Sequence, residues 1–314
     1  MTTEHRPVML EEAVHALDAK DGELVVDATF GGGGHASRIL QELAPDGTVV
    51  GIDRDPEAAE RASELLPDRR FRFISGAYED VLWRMVEEGS RVDAILFDLG
   101  LSSFQIDEPG RGFSYVREGP LDMRMDPRSG VSAAEFLDTV EVEELARVLV
   151  AYGGVPRGQA RRVAREVARR RPLETTADLY EAVRAAVGWV ERGGNPAKRV
   201  FQAVRIYVND ELGGLERALA ATERLLVPGG RLVVITFHSG EDRIVKRFIS
   251  EAEGRCICPP DLPVCACGAR PVFRRGVVRR PSEREVEENP RSASARLRVA
   301  IRTAEPPRVG EDAP

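Results

Sequence analysis

Four consecutive glycines, Gly31 to Gly34, follow the apolar run ELVVDATF (23–30) and lead into His35 and Ala36. Gly31, Gly33 and Ala36 fit the G-x-G-x-x-G/A spacing, which lets a chain turn tightly and lay bare backbone against a nucleotide at a helix N-terminus. A glycine cluster serves equally well as a flexible turn, so this pattern alone does not choose between the two. Other residues able to do chemistry stand just after apolar runs: Asp53 after TVVGI, Tyr78 after RFRFISG, Asp98 within FDLGLSS, and His238 before SGED. All four cysteines, Cys256, Cys258, Cys265 and Cys267, crowd into CICPPDLPVCACG. Such clustering disfavours structural disulfides and leaves two readings, a thiolate zinc site or reduced thiols in a loop, because C-x-C is less diagnostic than C-x-x-C.

These residues need a scaffold, and the chain supplies alternating strands and helices. ELVVDATF, TVVGID, RFRFISG and VDAILFDLG have strand length and apolarity, and HASRILQEL, DPEAAERASELL and EDVLWRMVEEG between them are helix formers. That alternation is the signature of a doubly wound parallel sheet. After residue 104 the pattern breaks into a long loop and then amphipathic helices. One carries Val142, Leu145, Ala146, Leu149 and Val150 as its apolar stripe; the next carries Ala160, Val163, Ala164, Val167 and Ala168, leaving arginines on its other faces. Asn195 and Pro196 open a long helix interrupted at Gly213 and Gly214, RLVVITF resumes the sheet, and SARLRVAI alternates as a last strand. The helical segment is thus expected as an insertion between the fourth and fifth strands of one α/β domain.

In an open α/β sheet the ligand lies at the carboxyl ends of the strands. Asp53 stands about twenty residues after the glycines, where a carboxylate accepts hydrogen bonds from ribose hydroxyls of a dinucleotide or of S-adenosylmethionine. Asp27, ahead of the glycines, suits a cofactor with a cationic amino-acid moiety, and Asp98 suits an amine substrate. A nicotinamide oxidoreductase survives as the alternative, with His238 as its proton-transfer group.

With 42% apolar and 31% charged residues, the composition is that of a soluble globular protein. The first residues have neither a signal peptide nor a membrane span, which predicts a cytoplasmic protein without membrane attachment. The net charge of −7 excludes a uniformly basic coat, yet it conceals two arginine clusters, RGQARRVAREVARRR (157–171) and ARPVFRRGVVRR (269–280), each a candidate phosphate-binding surface or a solvated face.

Longer words narrow the field. HRPVM (5–9), DATFGGGGH, GIDRDP, FDLGLSSFQID, RGFSY, GPLDMRMD, VFQAVRIYVNDEL, TFHSGEDRIVKRF and NPRSASARLRV together resemble, in order and over nearly the whole chain, the bacterial ribosomal RNA small subunit methyltransferase H family. The resemblance implies methyl transfer from S-adenosylmethionine to the exocyclic N4 amine of a cytidine in the decoding region of small-subunit (16S) ribosomal RNA. It implies a class I (Rossmann-like) methyltransferase fold, α/β with a doubly wound sheet. Residues 1–104 and 211–314 would form the cofactor-binding methyltransferase domain, and residues 105–210 an inserted all-α substrate-recognition domain. Cofactor contacts are implied at Gly33, Gly34, His35, Asp53, Tyr78, Asp98 and Gln105. Three positions depart from the family pattern: the fully glycine run GGGGHA, Gly240 in place of a usual leucine, and Gly154 in YGGVPR in place of an acid. The cysteine cluster resembles one found in only part of the family, so it is not essential to the reaction.

On this basis Asp98 holds the amine or contacts only the cofactor, and Ser102 shapes the base pocket or hydrogen-bonds its own loop. His238 orients the base or takes a proton, against a plain capping role from Ser239-x-x-Asp242. His5 and the LDMRMD loop are expected to close over the site. Arg161, Arg162, Arg165 and Arg169 are the expected RNA phosphate contacts, and the target cytosine must be unpaired or flipped out. Both a monomer and a homodimer are compatible with the sequence.

Overall fold

The computed structural model describes residues 7–188, 195–254 and 270–308. His5 and Cys256, Cys258, Cys265 and Cys267 lie outside the described residues, and with them the zinc site. The chain divides into two compact units, Met1–Gly100 with Leu212–Pro314, and Leu101–Glu211.

The first unit is built on a sheet. Its first half runs α1 (Leu10–Leu17), β1 (Leu24–Asp27), α2 (Gly34–Glu42), β2 (Thr48–Asp53), α3 (Pro56–Ala62), β3 (Phe71–Ser75), α4 (Tyr78–Glu87) and β4 (Val92–Asp98). The second unit follows, with α5 (Ser103–Asp107), α6 (Ala133–Thr139), α7 (Val142–Gly153), α8 (Arg157–Arg170), α9 (Thr176–Val187) and α10 (Pro196–Val208). The chain then returns through α11 (Glu211–Leu225), β5 (Leu226–Thr236), α12 (Ser239–Ala252), β6 (Phe273–Arg279), α13 (Glu283–Glu288) and β7 (Arg296–Arg302).

The seven strands lie in the order β3-β2-β1-β4-β5-β7-β6. β1 to β5 are parallel, and β7 runs antiparallel to both β5 and β6. Side chains alternate between the faces of a strand, and both faces of a parallel sheet must be covered. Val26, Ile52, Ile95, Phe97, Leu232 and Val234 therefore pack with α4, α11 and α12 on one side. Val25, Val49, Ala94, Leu96, Val233 and Ile235 pack with α1, α2 and α3 on the other. The strand order reverses between β1 and β4, so the loops after them lead to opposite sides and open a crevice between them.

In the second unit the stripes of α7 and α8 are buried as the periodicity predicts, at Leu145, Ala146, Leu149, Ala160, Val163, Ala164 and Val167. The LDMRMD loop is held by two buried side chains. Arg111 donates to the carbonyls of Arg124 and Met125, and Asn209 accepts from the Met125 N–H at 2.7 Å while donating to the Met123 carbonyl at 2.7 Å.

Two expectations need correction. The long helix breaks at Asn209–Asp210, where Asp210 has φ 47°, and not at the glycines, which lie inside α11. Gly214 is there for close approach: a Cβ on it would lie 2.7 Å from Glu79 Oε1. The second arginine cluster contains a strand, β6, that sequence alternation did not mark because only its first residue, Phe273, is buried. No described helix is long and apolar enough to cross a membrane.

Candidate cofactor site

The glycine loop is pinned on both sides as it leaves β1. Ala28 N–H donates to the Leu96 carbonyl of β4 at 2.9 Å, and Phe30 N–H to the Ile52 carbonyl of β2 at 2.9 Å. Gly33, at φ 76°, is the N-cap of α2 and brings no side-chain acceptor to it, a helix start suited to an anionic group. A Cβ on Gly33 would lie 2.6 Å from Phe30 Cζ, and one on Gly34 would lie 2.3 Å from Pro7 Cγ. Gly33 and Gly34 are glycine where the backbone is crowded, and Gly31 and Gly33 adopt the left-handed conformation.

Asp53 closes the loop from β2. Its Oδ2 accepts from Gly31 N–H at 2.8 Å and its Oδ1 from Asp55 N–H at 2.9 Å. Burial raises its pKa. Tyr78 opens α4 with its ring edge-on to Phe97 at 5.5 Å, and the Arg54 guanidinium stands over it at 5.7 Å.

Asp27 and Asp98 lie on one face of the sheet, since Asp27 pairs with Leu96, two residues before Asp98. Asp27 is fully buried, with Oδ1 accepting from Thr29 N–H at 3.2 Å and a further acceptance from Ala36 N–H. Desolvation, with Asp53 adding like charge, pushes its pKa up to about 7. The Asp98 backbone N–H donates to Thr29 Oγ at 2.6 Å, and its carboxylate stands 3.6 Å from His35 Nδ1. Burial, followed by the charges of Asp27, Glu241 and Glu285, pushes the Asp98 carboxyl well above the usual range. Among the described residues, Asp27 Oδ2 and Asp98 Oδ1 are buried oxygens without a hydrogen-bond partner.

The buried Asp27 and the part-exposed Asp98, each with a buried, uncommitted oxygen, form a site that favours a cation, because a positive charge would relieve both desolvation and mutual repulsion. Beside them are a helix start suited to a carboxylate and an acid placed for a ribose. This donor set fits S-adenosylmethionine, whose sulfonium and amino-acid end demand both signs.

His238 has a clear structural role. It is the N-cap of α12: Nδ1 accepts from the N–H groups of Gly240 at 3.1 Å and Glu241 at 3.4 Å, while Glu241 Oε2 accepts from Phe237 N–H at 2.7 Å and His238 N–H at 3.1 Å. The capping box therefore sits one residue before the Ser239-x-x-Asp242 anticipated from sequence. The ring's other nitrogen, Nε2, lies 3.1 Å from Glu241 Oε1.

Ser102 and Gln105 belong to the second unit, where they lock each other. Ser102 Oγ accepts from Gln105 N–H and Gln105 Oε1 from Ser102 N–H, each at 3.2 Å. The S-x-x-Q spacing is a capping-box signal that could have marked α5 within the long loop. Arg161, Arg162, Arg165 and Arg169 are all exposed on α8. Arg169, however, is held by Glu166 at 2.6 Å, which leaves the other three as the more available charges.

A family model described as the MraW methylase family matches residues 2–303. The chain belongs to the MraW methylase family. A relative from Rubrobacter xylanophilus, named ribosomal RNA small subunit methyltransferase H, is 75% identical over 305 residues, covering 97% of this chain and 98% of the relative. Another of that name, from Thioalkalivibrio sulfidiphilus, is 49% identical over 310 residues, covering 96% and 98%. Among solved structures, Aeropyrum pernix fibrillarin with natively bound S-adenosyl-L-methionine aligns with a TM-score of 0.40 and 9% identity, over 93% of this chain and 74% of that one. Membership makes the protein an S-adenosylmethionine-dependent methyltransferase.

Proposed function

We propose that the enzyme methylates the exocyclic N4 amine of a cytidine in the decoding region of small-subunit ribosomal RNA, within the cytoplasm. The relatives' names support the RNA, and the sequence resemblance supports the nucleotide. The observation that carries the chemistry is Asp98, a part-exposed carboxylate of raised pKa with one buried, uncommitted oxygen at the switch point of the sheet.

When bound, S-adenosylmethionine supplies a methyl group on a sulfonium, which already has a good leaving group. Gly33, Gly34, His35, Asp53, Tyr78 and Asp98 would hold it. What remains for the protein is alignment and the fate of one proton. Asp98 accepts a hydrogen bond from the cytosine amine and so aims the nitrogen lone pair. Its burial makes it a stronger base than an exposed carboxylate, able to receive the proton the amine must lose. Ser102 and His238 fix backbone at the starts of α5 and α12, acting as positioning residues. Residues 105–210 serve as the substrate-recognition part, with the α8 arginines on RNA phosphates, and the base must leave its stack to reach the methyl.

The test is incubation with S-adenosylmethionine and unmodified small ribosomal subunits, followed by mass spectrometry of digested nucleosides. N4-methylcytidine that disappears in Asp98→Ala is the expected result. No new methyl on subunits or naked RNA, with cofactor demonstrably bound, overturns the proposed substrate.

A further inference from the structure

The arginine cluster at 269–280 has no part in the site described so far, and the topology shows where it leads. In β6, Arg279 pairs with Leu297 of β7, while Phe273 pairs with Arg302. In β7, Arg296 pairs with Thr236, the last residue of β5. The far end of β6, with Arg279 and Arg280, therefore emerges at the same carboxyl edge of the sheet as His238 and the start of α12. On that helix Arg243 and Lys246 are exposed, as are Arg279 and Arg280. Among the described residues no carboxylate pairs with any of these four. Asp242 draws the surface together: it pairs with Arg298 at 2.8 Å and with Arg296 at 3.2 Å, and Lys246 and Arg296 both act on its charge. Arg296 stays 43% exposed, facing solvent beyond its single contact. Of the four glutamates in α13, Glu285 accepts from Met9 N–H and Glu288 pairs with Arg284, and among the described residues none forms an ion pair with these cations.

We infer that Arg243, Lys246, Arg279, Arg280 and Arg296 form a cationic rim that binds RNA phosphates, a second anchor carried by the sheet unit itself, apart from the arginines of α8. Five cations at one edge of a protein of net charge −7 are retained against the overall balance, and a polyanion is the partner whose binding rewards that placement. The guanidinium groups offer forked donors to phosphate oxygens, and Arg296 is held in place by Asp242 without being consumed by it. Contacts of this kind fix the register of an RNA and carry no sequence information.

This inference rests on RNA being the substrate. The test measures steady-state methylation of unmodified small ribosomal subunits by the full-length chain across a salt series, for wild type and for a variant combining Arg243→Gln, Lys246→Gln and Arg280→Gln. Three lost phosphate contacts should flatten the slope of log affinity against log salt by about two and raise KM for subunits on the order of tenfold or more. S-adenosylmethionine affinity, measured by calorimetry, should stay at the wild-type value. A companion variant, Arg243→Lys with Arg280→Lys, should keep most of the affinity because it keeps the charge. An unchanged KM and salt slope in the Gln variant overturns the rim, as does a Lys variant as damaged as the Gln variant. Failure of the wild type to methylate subunits would count against the substrate itself, which keeps the two failures distinct.

Discussion

Replacing Asp27 by asparagine should stabilise the protein at alkaline pH while weakening its hold on S-adenosylmethionine. The carboxyl is fully buried, and its pKa is raised from 3.8 to about 7. A tenfold displacement of a proton equilibrium is worth about 1.4 kcal/mol, so keeping Asp27 ionised costs the fold on the order of 4 kcal/mol above about pH 7. A carboxyl whose folded pKa lies above its unfolded value contributes most below the unfolded one, and that contribution is lost as pH rises through the folded one. From about pH 5 to about pH 8 the loss amounts to roughly 2–3 kcal/mol. At roughly 2–4 °C per kcal/mol for a unit of this size, Tm should fall with pH by about 5–10 °C more in wild type than in Asp27→Asn. The assay is thermal unfolding at intervals between those pH values, without ligand, with the difference between the two proteins isolating Asp27 from Asp53 and Asp98. Calorimetry at pH 8 should show the variant binding S-adenosylmethionine about 10- to 100-fold more weakly, the worth of one charge-assisted contact. Parallel pH curves for the two proteins would refute the reasoning, because they would mean that the ionisation of Asp27 is not coupled to folding.

Three further outcomes follow from the site. His238→Ala should destabilise by about 1 kcal/mol through loss of the α12 cap, whereas His238→Asn, an equally good cap, should retain both stability and turnover; a large loss of kcat in the asparagine variant would instead restore His238 as a proton carrier. Gly33→Ala should abolish cofactor binding by calorimetry and cost about 1–3 kcal/mol, since a Cβ there meets the Phe30 ring at 2.6 Å in a left-handed backbone; normal binding would show that the loop yields freely. Changing Arg161, Arg162 and Arg165 together to glutamine should flatten the salt dependence of subunit methylation by about two, whereas Arg169→Gln alone should do little because Glu166 already holds that guanidinium.

The architecture was legible where one physical signal dominated. Strands β1, β2 and β4 are apolar runs because both their faces are covered, and their ends mark the crevice, so the glycines, Asp53 and Asp98 group together from sequence alone. β6 was not legible, because an edge strand with six of its seven residues outside the core has no apolar rhythm. The helix boundary was misplaced because glycine is a helix breaker only by propensity, and at Gly214 the close approach of Glu79 outweighs that cost. Sequence identified His238 and Ser102 as polar residues after strands, but not that backbone N–H groups occupy their acceptor atoms. The raised pKa values of Asp27 and Asp98 depend on burial, which spacing does not reveal.

The contact between Gly214 and Glu79 reaches further than its own helix. Glu79 is gripped by Arg54 at 3.1 Å and Arg217 at 3.4 Å, and Arg54 in turn lies over the Tyr78 ring. The seat of Tyr78, a proposed cofactor contact, is thus linked to a residue more than a hundred positions away that has no side chain at all. As sequences of this lineage drift, position 214 acquires a side chain only if position 79 shortens or its carboxylate shifts off Arg54 and Arg217, so the two should tend to change together. Comparing them across relatives would read an old packing constraint directly from descent.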